Sequence, residues 1–499
     1  MPDDSGLRRL ALGTLLAAFP GGVAPDWIAG LLTDGLAGVT LFATNIDDPD
    51  QTRRLTATLR SAHPRALVAL DEEGGDVTRL AHRTGSPYPG NAALGAVDDR
   101  DLTRSVYESI GADLAAVGVN LDLAPVADVN TTDDNPVIGT RSFGADPALV
   151  ARHTAAAVAG LQSVGVAACT KHFPGHGATH TDSHLDLPTV DATLPLLRDR
   201  DLPPFAAAIE AGTRAIMTAH IRIPALTGTA PATFSREAIQ DLLRHRYGFP
   251  GAIITDALEM SAALIAAGSL GEAAVRSLVA GADLLCLGAR ATPDLVDHVL
   301  TEIIAAVGRG ELTTARLEEA AGRTAELASW PSPVTTPAVS REVGHVAARR
   351  ALRIEGSVAG LTNPLVVELH AGHTIVEGRV PWGLAAAAHP SPAVSGILWL
   401  RVPVGRTTAS ELAERAGPRP IVLVGRRLHR TEETRNLVSD LAARHNVAVV
   451  EMGWPSAWRP AGVRAFLTTY GAGHANGLAA AEALGLTPPA SGARPTTPS

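Results

Sequence analysis

Residues 166–177 read VAACTKHFPGHG, an apolar run that closes on Lys171 and His172 and then breaks into proline and glycine. A short apolar run bounded in this way fits a strand buried on both faces. Pro174, Gly175 and Gly177 forbid a regular helix directly after it, so the strand must empty into a shaped loop. The same pattern recurs on either side. Apolar runs at Leu12–Phe19, Gly38–Ala43, Ala66–Leu70, Val119–Val126, Val166–Phe173, Ala215–Ile221, Ala252–Leu258 and Ala282–Gly288 make eight. Stretches with helical spacing separate them, such as Ala148–Val164 and Arg236–Tyr247. Strands alternating with helices predict an α/β fold with a parallel sheet, and eight such units predict a (β/α)8 TIM-type barrel.

Polar residues gather where these predicted strands end. Asp71 follows the third, Lys171 and His172 close the fifth, His220 closes the sixth, and Asp256 stands late in the seventh. Barrel active sites form at the carboxyl ends of the strands, so these side chains are expected at one mouth.

Pro331, Pro333 and Pro337 mark a linker at 331–344, after a barrel domain predicted for 1–330. A second apolar series follows at Leu365–Leu369, Gly396–Val402, Pro420–Val424, Val447–Met452 and Arg464–Tyr470. With its intervening helical stretches it predicts a smaller α/β sandwich domain over 345–485. The final stretch, 486–499, is rich in proline, serine and threonine, a composition without the apolar residues for a packed core.

Across 499 residues, 46% are hydrophobic and 19% charged, with a net charge of −9. That balance suits a globular protein with a large core and argues against nucleic acid or an anionic membrane as a partner. Cys169 and Cys286 are too few for a disulfide framework or a thiolate metal site, which favours a reducing compartment. Leu10–Phe19 follows Arg8-Arg9 and has the look of a short secretory signal. However, Asp3 and Asp4 precede the arginines, and Pro20-Gly21-Gly22 follows without a small-x-small cleavage pattern. A first barrel strand and a cytoplasmic protein are the expectation. Nothing in the sequence specifies an oligomeric state.

The basic residues number 42, and Lys171 is the single lysine among them. Lysine is a compact point charge and arginine a broad planar fork, so a lone lysine inside the densest motif points to a role that arginine cannot fill. His172, His176, His180 and His184 recur at intervals of four, which on a helix would form a metal-binding stripe. Pro174 and the neighbouring glycines remove that geometry, although a loop can still gather three histidines around zinc. Asp256 has two readings as well. It can carry chemistry at a strand end, or cap a helix over Ala257–Ala266.

Several motifs, in order, are similar to family 3 glycoside hydrolases, specifically the bacterial β-N-acetylglucosaminidase branch. They are Asp71-Glu72-Glu73-Gly74-Gly75 with Arg79, the run from Asn135 to Gly144 containing Arg141, Lys171 to Gly177, Asp182-Ser183-His184, and Thr255 to Met260. The resemblance runs through much of residues 10–290 and is much weaker in the second domain. It implies a retaining glycosidase that removes terminal, non-reducing β-linked N-acetylglucosamine from peptidoglycan-derived fragments, without cofactor or metal. Its substrate would be a small carbohydrate or muropeptide. Asp256 matches the family nucleophile, because glycoside cleavage passes through an oxocarbenium-like state that a carboxylate can stabilise and then bond. His184 matches the general acid/base, with Asp182 orienting the imidazole and favouring its protonated form. Asp71, Arg79, Arg141, Lys171 and His172 match the substrate contacts. His176 and His220 are expected to structure loops or line the mouth.

This chain departs from the family pattern at three positions. Ala178 replaces a usual aspartate, Asp76 stands where arginine is frequent, and Ala257 follows the nucleophile where an acid is common. Three other readings remain open. They are a phosphorylase using the same glycosyl-enzyme, a non-catalytic sugar-binding barrel, and a metal-dependent hydrolase.

Overall fold

The computed structural model describes residues 4–330, 340–370, 372–388 and 396–487. Most of the expected linker (331–339) and most of the expected tail (488–499) lie outside the described residues. Two compact units divide the chain. The first holds Met1–Glu73, Thr78–Leu80 and Asp98–Ser340; the second holds Gly74–Val77, Ala81–Val97 and Arg341–Ser499.

The first unit is the expected parallel barrel. Its strands are β1 (Leu15–Ala17), β2 (Gly38–Thr40), β3 (Leu67–Leu70), β4 (Leu121–Asp122), β5 (Ala167–Phe173), β6 (Ala215–Thr218), β7 (Ala252–Thr255) and β8 (Leu285–Cys286). They pair in parallel in the order β7-β6-β5-β4-β3-β2-β1-β8, and an Ile254–Leu284 bridge joins the two ends of that order. Leu16, Leu67, Leu121, Cys169, Met217 and Ile254 fill part of the interior as one buried cluster. Both cysteines are buried free thiols. Gly38 is required by close approach, since a Cβ there would stand 2.1 Å from the Leu67 carbonyl oxygen on the neighbouring strand.

Helices enter through ordinary caps. The one spanning Pro147–Ser163 begins with Asp146 accepting from the Leu149 amide and proline in its first turn. The predicted stretch Arg236–Tyr247 is a π-helix, Glu237–Arg246.

Every predicted strand has an observed counterpart, but most are shorter than expected. The run at Leu12–Phe19 is split, with helix Asp4–Leu12 taking its start and the strand only Leu15–Ala17. Beyond the strand ends, Ala219, Ile221 and Leu258 remain fully buried. Apolar character therefore continues into loops that fold inward over the barrel, and pattern alone extends the strand too far. Among the described residues, no single helix is long and apolar enough to cross a membrane.

The second unit contains β9 (Arg353–Gly356), β10 (Leu365–His370), β11 (Leu398–Pro403), β12 (Ile421–Gly425), β13 (Val447–Glu451) and β14 (Ala465–Thr468). Their order is β11-β10-β12-β13-β14-β9, parallel except for β9, which runs antiparallel along β14. Two separate buried clusters draw on alternate residues of the central strands, Val422, Val424, Val450 and Leu467 in one and Ile421, Leu423, Val449 and Phe466 in the other. Strand β9 carries no apolar run, and all four of its residues are exposed, so periodicity could not reveal it.

Candidate active site

Four barrel strands carry the candidate residues. Asp71 directly follows β3, Lys171 and His172 lie near the end of β5, His220 stands two residues past β6, and Asp256 directly follows β7. All of them occupy the carboxyl ends.

Lys171 is 2% exposed, and its Nζ donates to Asp71 Oδ1 at 2.7 Å and lies 2.8 Å from Glu73 Oε1. Arg141 grips the same Glu73 with a fork, Nε to Oε2 at 2.9 Å and Nη2 to Oε1 at 2.8 Å. Arg79 Nη2 approaches Asp71 Oδ2 at 3.6 Å. Burial alone would raise both carboxyls. For Asp71 the Lys171 and Arg79 charges outweigh it, and for Glu73 the Arg141 and Lys171 charges do, so both are held below their ordinary range. The result is a set of alternating fixed charges that offers a polyol both donors and acceptors.

His172 is oriented from beneath by Asp128. Its Nδ1 lies 2.7 Å from Asp128 Oδ2, while Asp128 Oδ1 accepts the amides of His172 at 3.3 Å and His176 at 2.7 Å. Its Nε2 lies 3.4 Å from Arg141 Nη2. Burial would raise the Asp128 carboxyl, but the neighbouring His172 and its hydrogen bond hold it down.

The segment between Asp182 and His184 is a tight polar turn. Asp182 Oδ1 accepts the His184 amide at 2.9 Å and pairs with His184 Nδ1 at 2.8 Å. This leaves Nε2 as the outward face of a ring whose side chain is 21% exposed.

Asp256 Oδ1 accepts the Ala257 amide at 2.8 Å, and its own amide donates to the Thr218 carbonyl. The following helix begins only at Ser261, with Met260 in the cap position, so Asp256 does not cap it. Burial would raise its carboxyl, yet it is held below the ordinary range by the positive influence of His172, His220 and His184, with a further contribution from the Ala257 amide.

His176 and His220 structure the loops. His176 joins Thr179 Oγ1 at 2.7 Å and Ser183 Oγ at 3.1 Å, while His220 joins Thr233 Oγ1 at 2.8 Å and the Ala257 carbonyl at 3.1 Å. Gly177 closes the β5 loop tightly, since a Cβ there would meet the Val129 carbonyl at 1.9 Å. His180 lies exposed beside Asp134. The four-residue spacing therefore does not set the histidines as one stripe, although the His172 and His176 rings meet edge to face with centroids 5.9 Å apart. Among the described residues, no group of three or more His, Cys, Asp or Glu could hold a metal ion.

Two site residues escaped the sequence reasoning. Asp128 lies two residues past the apolar run at Val119–Val126, close to a predicted strand end, which was the available signal. Glu73 lay inside an acidic run beside which only Asp71 and Arg79 were singled out. Of the three departures, Asp76 has a clear structural use within the second unit. Its Oδ1 accepts the Ala472 amide at 2.7 Å and its Oδ2 pairs with Arg426 at 3.2 Å, while Arg426 also pairs with Glu377 at 2.6 Å.

A family model described as the glycosyl hydrolase family 3 N terminal domain matches residues 24–327. Beta-hexosaminidase from Nitrosomonas eutropha is 37% identical over 58% of this chain and 82% of its own length. Beta-hexosaminidase A from Pseudoalteromonas piscicida is 32% identical over 66% of this chain, which spans 59% of that longer relative. Among solved structures, a glycoside hydrolase family 3 β-N-acetylglucosaminidase from Paenibacillus sp. superposes with a TM-score of 0.85 at 31% identity, covering 95% of this chain and 96% of the other.

Proposed function

The chain belongs to glycosyl hydrolase family 3, and from that premise we propose that it is a retaining β-N-acetylhexosaminidase. Its substrate class is terminal, non-reducing β-linked N-acetylglucosamine, with small peptidoglycan-derived saccharides or muropeptides as its natural source. The names of its relatives support the sugar. Two unpaired thiols fit a reducing cytoplasm, where wall fragments are recycled.

The observation that carries the mechanism is a carboxylate at the end of β7 kept ionised by surrounding imidazoles, one of them the carboxylate-paired His184. In the first step the free Asp256 oxygen bonds to the anomeric carbon as the bond to the departing oxygen breaks. His184 Nε2–H gives that oxygen its proton. In the second, neutral His184 takes a proton from water, the water oxygen bonds to the anomeric carbon, and the Asp256 carboxylate leaves. Two displacements restore the β configuration. Lys171, Asp71, Arg79, Arg141 and His172 hold the sugar hydroxyls, and such positioning supplies a large part of catalysis.

The test is mass spectrometry after trapping with a 5-fluoro N-acetylglucosaminyl fluoride. Label on the peptide containing Asp256 is expected, and label elsewhere overturns the mechanism. Release of p-nitrophenol from the β-N-acetylglucosaminide should exceed release from the β-glucoside, and the reverse preference overturns the substrate. Added phosphate should still give free sugar; a sugar 1-phosphate would instead favour a phosphorylase.

A further inference from the structure

Between the two acids that hold Lys171 stands a third that turns away. Glu72 is 3% exposed, and its Oε2 accepts the backbone amides of Arg79 at 2.9 Å and Leu80 at 3.0 Å. The Thr78 side chain hydrogen-bonds to the same carboxyl. From the other side, the Glu72 amide donates to Asp122 Oδ1 at 3.0 Å, and Asp122 is fully buried. The acid thus links the end of β3 and the end of β4 to the short segment 78–80.

A buried carboxylate is costly unless it is well hydrogen-bonded. Here burial pushes the carboxyl up to about 7 even with those bonds in place. An apolar side chain would fill the same space without that cost. What it could not do is hold two consecutive amides, one of which belongs to Arg79. The guanidinium of that residue reaches towards Asp71, and a carboxylate that fixes its backbone fixes the base from which the side chain extends.

We propose that Glu72 is a positioning residue for the sugar clamp, holding the backbone of Arg79 so that its guanidinium meets the substrate together with Asp71. This rests on the reading of Arg79 as a substrate contact. Glu72 itself touches neither substrate nor reacting atoms. The acceptor is what matters, so glutamine serves in its place, its oxygen accepting both amides and its amide group donating to Thr78.

The experiment measures kcat and KM on the p-nitrophenyl β-N-acetylglucosaminide for Glu72→Gln, Glu72→Met, Arg79→Ala and the Glu72→Met/Arg79→Ala double variant. Displacing a binding group by a fraction of an ångström to an ångström should raise KM by about 10-fold or more in Glu72→Met. The glutamine variant should stay near the parent, with kcat within about 2-fold in both. The double variant should bind no worse than Arg79→Ala alone, because residues acting through one another are not additive. A glutamine variant as impaired as the methionine one, or KM effects that multiply in the double variant, overturns the proposal. So does an unchanged KM in Glu72→Met when Arg79→Ala is impaired. An unchanged KM in Arg79→Ala instead removes that residue from the clamp, and the proposal with it. Should Glu72→Met fail to fold by thermal denaturation, Glu72→Asp draws the acceptor back by one methylene and carries the same comparison.

Discussion

At the scale of single residues the site is a matter of which charges are kept and which are suppressed. Asp256 stays a carboxylate because imidazoles face it, and Lys171 stays an ammonium because two carboxylates hold it. As the proposed acid, His184 should matter most when the departing oxygen most needs a proton. His184→Ala is expected to lose about 10²–10⁴-fold in kcat on a disaccharide, and much less on a dinitrophenyl glycoside. Equal losses on both would remove it from that role. His176 is the opposite case, a base kept neutral. Burial first, then the neighbouring His172 charge, draws its imidazole down to about 4. The unfolded chain therefore takes up a proton near pH 6.5 that the folded chain refuses until about pH 4. Stability from this group is complete above 6.5 and declines as pH falls through that window, by about 3 kcal/mol in all. His176→Gln should unfold in urea with a shallower acid dependence over the same range. An unchanged slope would mean that the imidazole is not held neutral.

At the scale of elements, the two ends of the barrel do different work. Asp283 lies ahead of β8, at the end away from the chemistry, and is fully buried. It pairs with Arg244, with Arg316 at 2.8 Å and with Arg323 at 3.4 Å, and accepts the Ile253 amide at 2.9 Å. It thereby joins β7 and β8 to helices Glu237–Arg246 and Thr314–Ala328. Removing one partner of a buried ionic network strands the rest, so Asp283→Ala should cost about 3–5 kcal/mol in denaturant unfolding. Its activity at low temperature should be near that of the parent. Loss of activity without loss of stability would contradict this division between the ends. The strands themselves were legible because a barrel strand is apolar on both faces. Their ends were not, since the loops beyond β6 and β7 bury apolar residues too. Strand β9 was invisible because its exposed Arg353 and Glu355 carry no burial signal, and pairing with β14 alone defines it.

For the whole molecule, the second unit is more than the chain after the linker, since it takes in Gly74–Val77 and Ala81–Val97 as well. Arg426 there is shared between Asp76 and Glu377, both mostly buried. Arg426→Met should therefore lower the thermal midpoint of the full-length protein, leaving two carboxylates close together at a cost of about 3–5 kcal/mol. Further change of Glu377 to Gln should recover part of it. A neutral Arg426→Met would show that the triad contributes nothing to stability. By itself the sequence determined the barrel and the succession of strands near which its polar residues stand, because apolar runs and chain-breaking residues are local properties written in consecutive positions. It also set the single lysine, Lys171, near the end of the fifth strand. Only the tertiary structure decided that Asp128 orients His172, that Glu73 is shared by Lys171 and Arg141, and that Asp76 turns to Arg426. Those pairings join residues from 44 to 350 positions apart. A charge chooses its partner by distance in space, and no periodicity along the chain records that distance.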